Sequence, residues 1–284
     1  MSSPLYTRTT NPIEGGIVCE ILESNTEGIV ANSSSLETII TQDVELNTLL
    51  DSAAAYINRK YGEKYTDLGE TFGNGFSSKD GSIPFKRAIN ANGYKDSFAT
   101  EILNLRVGPP ASHIQNILLV FRNTDQEVIG TCLIKANCNV GVYTRGYIPA
   151  LKNIGIDQIT GDKCVSLHSV SAEKGSGQKV MSESLKFAYT KGFRYAIIEV
   201  YYREDDKKLI EFYRKCGFID IPYSIKATSF APTVWKQIAM YKEITTQGGN
   251  KYRKSRTYKK SRNYKKSRTY KKSRISKKSR ISNK

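Results

Sequence analysis

Apolar residues recur along this chain with two different periods, and each change of period marks out an element. In DVELNTLLDSAAAYINRKY (43–61), Leu46, Leu49, Leu50, Ala53, Ala54 and Ile57 fall on one face at helical spacing, which predicts an amphipathic helix. Ahead of it, GIVCEIL (16–22) and EGIVA (27–31) are short apolar runs and predict early strands. Between 62 and 97 the pattern dissolves into Gly, Ser, Asp and Lys, which predicts a long loop or lid with little regular structure.

From 115 the pattern sharpens. QNILLVFRN (115–123) is apolar enough for a central strand, TDQ makes a turn, and EVIGTCLIKAN (127–137) returns as the second arm of a hairpin. KCVSLHSV (163–170) alternates, with Val165, Leu167 and Ser169 against Ser166, His168 and Val170. A glycine turn then opens a helix that runs to about Thr190, buried through Val180, Met181, Leu185 and Ala188. RYAIIEVYY (194–202) is a strand, DDKKLIEFYRKC (205–216) a helix, GFIDIPY (217–223) turns into a strand, and WKQIAMYKEI (235–244) closes the series. This order predicts an α/β fold, a mixed sheet flanked by helices. Three regions follow: 1–100 with the first helix and the loop, 101–246 as the core, and 247–284 as a tail.

The tail has no fold-forming pattern. From Ser255 to Lys284 it repeats six residues, SRTYKK, SRNYKK, SRTYKK, SRISKK and SRISNK. The period is too short for a solenoid unit and nothing in it fills a core, so a disordered, extended segment is expected, jointed at QGGN (247–250).

Charge changes this picture only through the tail. The chain of 284 residues carries a net charge of +17, but residues 251–284 contain 17 of the 44 Lys+Arg and no acid. Residues 1–250 are therefore balanced, with 27 basic and 27 acidic residues. Tyr252, Tyr258, Tyr264 and Tyr270, interleaved with Lys and Arg, suit a nucleic acid or another polyanion as a partner of 251–284. Such runs also serve as nuclear import signals.

The five cysteines, Cys19, Cys132, Cys138, Cys164 and Cys216, form no C-x-x-C pair, and His113 and His168 are the only histidines. That spacing predicts no metal site and reduced thiols in an intracellular protein, cytoplasmic or nuclear. The polar start MSSPLYTRTT lacks an apolar signal core, and no run is long enough to span a membrane.

The candidate chemistry starts at SVSAEKGSGQKVM (169–181). Glycine weakens a helix interior, but at a helix start it lets a ligand approach N–H groups that carry partial positive charge. The turn therefore asks for an anion. A phosphate-loop motif is excluded by spacing, and a dinucleotide fingerprint lacks its third glycine.

Residues 115–245 resemble the acyl-CoA N-acyltransferases of the GNAT superfamily. Gly175-Ser176-Gly177 matches the end of that family's Gln/Arg-x-x-Gly-x-Gly/Ala motif, with Ala172 where Gln or Arg is expected. LIEFYRKCGFI matches its helix signature through Tyr213, Gly217 and Phe218, with Asp206 at a position often held by Asn. WKQIAMYKEI resembles its closing strand.

The resemblance implies a mostly antiparallel sheet with a local splay, and acetyl-CoA as co-substrate for N-acetylation of an amine. It implies that the backbone around Lys174, Gly175, Ser176, Gly177, Gln178 and Lys179 cradles the pyrophosphate. A backbone N–H near Ser169, Val170 or Ser171 would polarise the thioester carbonyl. Tyr213 would protonate the departing thiolate, and His168 or Glu199 would take the amine proton, since each lies on a strand lining the cleft. The alternative is a catalytically degenerate relative that binds nucleic acid or other polyanions through its basic tail. The acceptor amine is not legible.

Overall fold

The computed structural model describes residues 6–24, 42–64, 116–136, 147–203, 207–222, 226–227 and 235–246. The expected strand at 27–31, the loop at 62–97 from Tyr65 onward, the joint at 247–250 and the tail lie outside these residues.

Among the described residues nine strands form one sheet: β1 (Tyr6–Ile13), β2 (Ile17–Ser24), β3 (Asn116–Arg122), β4 (Val128–Ala136), β5 (Cys164–Ala172), β6 (Tyr195–Arg203), β7 (Ile219–Asp220), β8 (Lys226–Ala227) and β9 (Trp235–Glu243). Their order across the sheet is β1-β2-β3-β4-β5-β6-β9-β7, with β8 also on β9. β5 and β6 run parallel and the other paired strands antiparallel. The described residues also form the helices α1 (Val44–Lys64), α2 (Tyr147–Lys152), α3 (Gly177–Thr190) and α4 (Lys208–Lys215). A mixed, mostly antiparallel sheet flanked by helices is the α/β fold expected from the sequence.

The alternation of the strands sorts these helices onto two faces. Val165, Leu167, Ala196 and Ile198 pack with Val180, Met181 and Leu185 of α3 and with Ile210 and Tyr213 of α4. On the other face Leu46, Leu49, Leu50, Ala53, Tyr56 and Ile57 of α1 cover Leu22, Leu118, Val120 and Leu133. Further along that face, Tyr147, Ile148 and Leu151 of α2 cover Cys164, Tyr195, Ile197 and Ala239. Each fully buried Leu or Ile contributes about 1.5–3 kcal/mol, so the interleaved helices and strands hold one another in register.

The N-terminal region enters the same sheet. β1 pairs with β2 along its whole length, from Tyr6 opposite Ser24 to Ile13 opposite Ile17. Polar contacts then fix α1 to this hairpin. Asp43 caps the helix, its Oδ1 accepting from the Leu46 N–H at 2.9 Å, and Tyr6 donates its hydroxyl to the same carboxylate. Buried Glu20 accepts from Arg122 at 2.6 Å and from Arg8 at 2.8 Å, and Arg8 reaches Glu45 at 2.6 Å. Burial alone would raise the Glu20 carboxyl, but the two guanidinium groups overcome it and hold its pKa below the ordinary value.

Among the described residues Cys19, Cys132, Cys164 and Cys216 are free and buried, and no group of three or more His, Cys, Asp or Glu stands ready for a metal ion. No helix of the described residues is long and apolar enough to cross a membrane.

Candidate active site

Two features of β5 shape the site. The first is an extra residue. Between the pairs Thr131–Ser171 and Leu133–His168, β4 advances two residues and β5 three. Ser169 absorbs the difference at φ +48°, a left-handed conformation costly for any side chain, and the Thr131 hydroxyl donates to its carbonyl at 3.0 Å. The bulge also corrects the expected alternation. Val170 does not share a face with Ser166 and His168; it packs with Val165 and Leu167 against the α3 side.

The second feature is a parting of strands. The parallel pairing of β5 with β6 runs from Cys164–Tyr195 to Leu167–Ile198 and ends there, although β5 continues to Ala172 and β6 to Arg203. His168 and Glu199 are the first residues past the last pair. Alternation places both on the α1–α2 side. The backbone edge of β5 through Ser169, Val170 and Ser171 thus faces the opening without a ladder partner on β6.

The glycine turn follows at the end of β5. The Glu173 N–H bonds the Ile129 carbonyl at 2.8 Å, and Ser176 N–H returns to the Glu173 carbonyl at 2.9 Å. Gly175 stands between them at φ +93°, where only glycine is unstrained, and its missing side chain faces open space. The first bond of α3 is Val180 N–H to Ser176 carbonyl at 2.9 Å, so the N–H groups of Gly177, Gln178 and Lys179 precede the helical ladder. Ser176 occupies the cap position and makes no side-chain cap bond. Three oriented donors at the positive end of a 14-residue helix form an anion cradle.

The two motifs read from the sequence meet here. A Cβ on Gly177 would lie 3.0 and 3.1 Å from two carbons of the Phe212 ring on α4. Gly177 is therefore also a packing glycine. Lys174 and Gln178 are exposed beside the turn. Lys179 is committed elsewhere, its ammonium donating to the Glu14 carbonyl in the β1–β2 turn.

The proton-transfer candidates divide. His168 bonds Ser166 Oγ through Nε2 at 2.9 Å. Part of its surface stays accessible, yet neighbouring atoms crowd the ring. Burial, aided by the Lys135 cation, pushes its pKa down to about 3. The imidazole is neutral and a poor proton acceptor there. Glu199 accepts a 2.7 Å hydrogen bond from the Tyr147 hydroxyl. Tyr213 is only 5 % exposed, edge-on to Phe212 and Phe218 with ring centroids 5.2 and 5.9 Å away.

Sequence reasoning missed Tyr147. Pro149 in YIPALK is a helix-start signal for α2, but nothing in the string ties Tyr147 to a glutamate 52 residues later.

No family model matches the chain, and no curated protein matches it. Solved structures do. TofI, in a ternary complex with an inhibitor and MTA, aligns at 12 % identity and TM-score 0.40, over 71 % of this chain and 88 % of that one. FeeM, an N-acyl amino acid synthase from uncultured soil microbes, aligns at 17 % and 0.34, over 52 % and 74 %. A spermidine N-acetyltransferase SpeG mutant from Vibrio cholerae aligns at 12 % and 0.32, over 45 % and 64 %, so the chain spans less than two thirds of that enzyme.

Proposed function

We propose that the protein is an acyl-CoA-dependent N-acyltransferase that moves an acetyl group from acetyl-CoA to an amine. The observation that carries this reading is the anion cradle at Gly177, Gln178 and Lys179 directly after a strand edge that has parted from its neighbour. Coenzyme A needs both. Its pyrophosphate suits the cradle, and its pantetheine arm carries amides that can pair with an open strand edge as a peptide would. The thioester carbonyl then comes to the bulge, where a backbone N–H near Ser169, Val170 or Ser171 stabilises the oxyanion.

In this mechanism one proton passes from the ammonium to a base, the amine attacks the carbonyl, the thiolate leaves, and a second proton leaves the nitrogen as the amide forms, balancing the one the thiolate takes up. Geometry favours Glu199 as the base, because the Tyr147 hydroxyl orients its carboxylate at the opening, whereas burial pushes the His168 pKa down. Tyr213 supplies the proton to the thiolate. Screening primary amines for thiol release from acetyl-CoA tests the reading. Release that depends on the amine supports it; no release together with no acetyl-CoA binding removes it.

The tail supports a second, compatible reading. With 17 Lys/Arg in 251–284 and a balanced remainder, the tail is proposed to bind nucleic acid or another polyanion. If the body proves inert toward acetyl-CoA, this becomes the leading function.

A further inference from the structure

We propose that Tyr147 is a positioning residue of the transfer reaction, holding the Glu199 carboxylate at the mouth of the β5–β6 opening so that it receives the proton of an incoming ammonium; this rests on the acyltransferase reading above. Three observations converge on the pair. Glu199 is the first residue of β6 beyond the last rung shared with β5, across the opening from His168. The Tyr147 hydroxyl donates to its Oε1 at 2.7 Å. Tyr147 is itself only 6 % exposed and packed at the start of α2 among Cys164, Ile197 and Ala239. A phenol locked by packing fixes one carboxylate oxygen and leaves the direction of the other defined.

The surroundings favour a carboxylate for this work. Among the described residues, the titratable groups around it on this face include His168 and Cys164 on β5, Lys135 on β4 opposite Ser166, Tyr195 on β6, and Tyr241 and Glu243 on β9 opposite Ile197 and Tyr195. His168 is held neutral and Lys135 is a cation, while burial raises both tyrosines above their ordinary value. Glu243 lies opposite Tyr195, four residues along β6 from Glu199 and away from the opening, so Glu199 is the carboxylate that stands at the opening. The balance of the step is simple. The ammonium gives one proton to Glu199, the freed nitrogen pair forms the C–N bond, the C–S bond breaks with its electrons leaving on sulfur, the thiolate takes a proton from Tyr213, and the second proton lost by the nitrogen as the amide forms restores the phenol through solvent.

A hydrogen bond to the charged carboxylate favours that form. Its loss moves the acidic limb of a pH–rate profile upward. The experiment compares wild type, Tyr147→Phe, Glu199→Gln and the double variant, with acetyl-CoA and a panel of n-butylamine, spermidine and lysine- or glycine-terminated peptides. Acetyl-CoA affinity and thermal melting are measured alongside. Tyr147→Phe is expected to keep affinity and melting, lower kcat/KM about 3- to 30-fold, and shift the acidic limb up by about half to one pH unit. Glu199→Gln is expected to lose about 10²–10⁴-fold, and the double variant no more than that.

An unmoved acidic limb in a folded, active Tyr147→Phe protein overturns the proposal, as do losses that multiply in the double variant. Wild-type protein that neither binds acetyl-CoA nor releases thiol overturns the acyltransferase reading, and the proposal with it.

Discussion

Gly177 lies against the ring of Phe212, with a notional Cβ 3.0 Å from the ring edge. The pair joins the first turn of α3 to the outer face of α4, so the two sequence motifs are one packed unit. A side chain at 177 therefore disturbs stability as well as any anion at the turn. Gly177→Val is expected to destabilise the protein by about 1–3 kcal/mol through overpacking. Phe212→Ala in the same chain should recover part of that loss. Urea denaturation of the single and double variants checks this, and strict additivity would count against it.

Ser176 offers the opposite case. Losing a serine helix cap ordinarily costs about 1 kcal/mol. Here the Ser176 side chain makes no cap bond. Ser176→Ala is therefore expected to change stability by less than about 0.5 kcal/mol. A loss of a full kcal/mol in the same denaturation assay would show that the hydroxyl caps α3 after all.

Acid should loosen the contact between α1 and the N-terminal hairpin. Arg122 and Arg8 hold the Glu20 pKa below its ordinary value. The folded state thus binds this proton less readily than the unfolded chain. The resulting stability is present above the ordinary carboxylate range and is lost as pH falls through the lowered folded value. Glu20→Gln should cost on the order of 2 kcal/mol at pH 7 and flatten the acid limb of the stability profile. An acid limb identical in the two proteins would assign it to other carboxylates.

Tyr213→Phe keeps the edge contacts with Phe212 and Phe218 and removes one hydroxyl. Turnover is expected to fall about 10- to 100-fold with acetyl-CoA affinity unchanged, since solvent partly replaces a lost acid. Equal turnover would reduce Tyr213 to a core aromatic.

Removing 251–284 takes away 17 positive charges and no acid. The truncated protein should keep its melting temperature and its acetyl-CoA affinity. Binding of single-stranded nucleic acid by the full chain should fall steeply between about 50 and 200 mM salt, and deletion should abolish most of it. Salt-insensitive binding that survives deletion would locate a nucleic-acid site in the body.

Where the period of the sequence is clean, the elements can be read from it. The apolar stripe of α1, the strands from β3 to β6, α3, α4 and β9 all follow from alternation or helical spacing. β1 was not legible because YTRTTNPI shows no apolar alternation; it is a largely exposed edge strand held by its ladder to β2. α2 has only six residues, too few for a period. The side-chain alternation of β5 misled beyond His168, since one left-handed residue, Ser169, reverses the faces that follow.

The site was partly legible for the same reason. The glycine turn announces itself locally, whereas the positive φ of Gly175, +93°, is a reason for glycine that the sequence reading did not give. The second glycine misled in part, because its neighbour Phe212 is distant in sequence. The bond between Tyr147 and Glu199, and the burial that keeps His168 neutral, arise only when distant strands and helices assemble.

The turn from Gly175 to Lys179 is proposed to bind the pyrophosphate of an acyl-CoA. Titration calorimetry with acetyl-CoA and with S-acetyl-pantetheine, which lacks the phosphates, tests it most directly. The account predicts saturable binding of acetyl-CoA and affinity for S-acetyl-pantetheine weaker by a factor of about 100 or more, as charge-assisted hydrogen bonds to two phosphates imply. Equal affinity for the two, or no binding of acetyl-CoA at millimolar concentration, would contradict it.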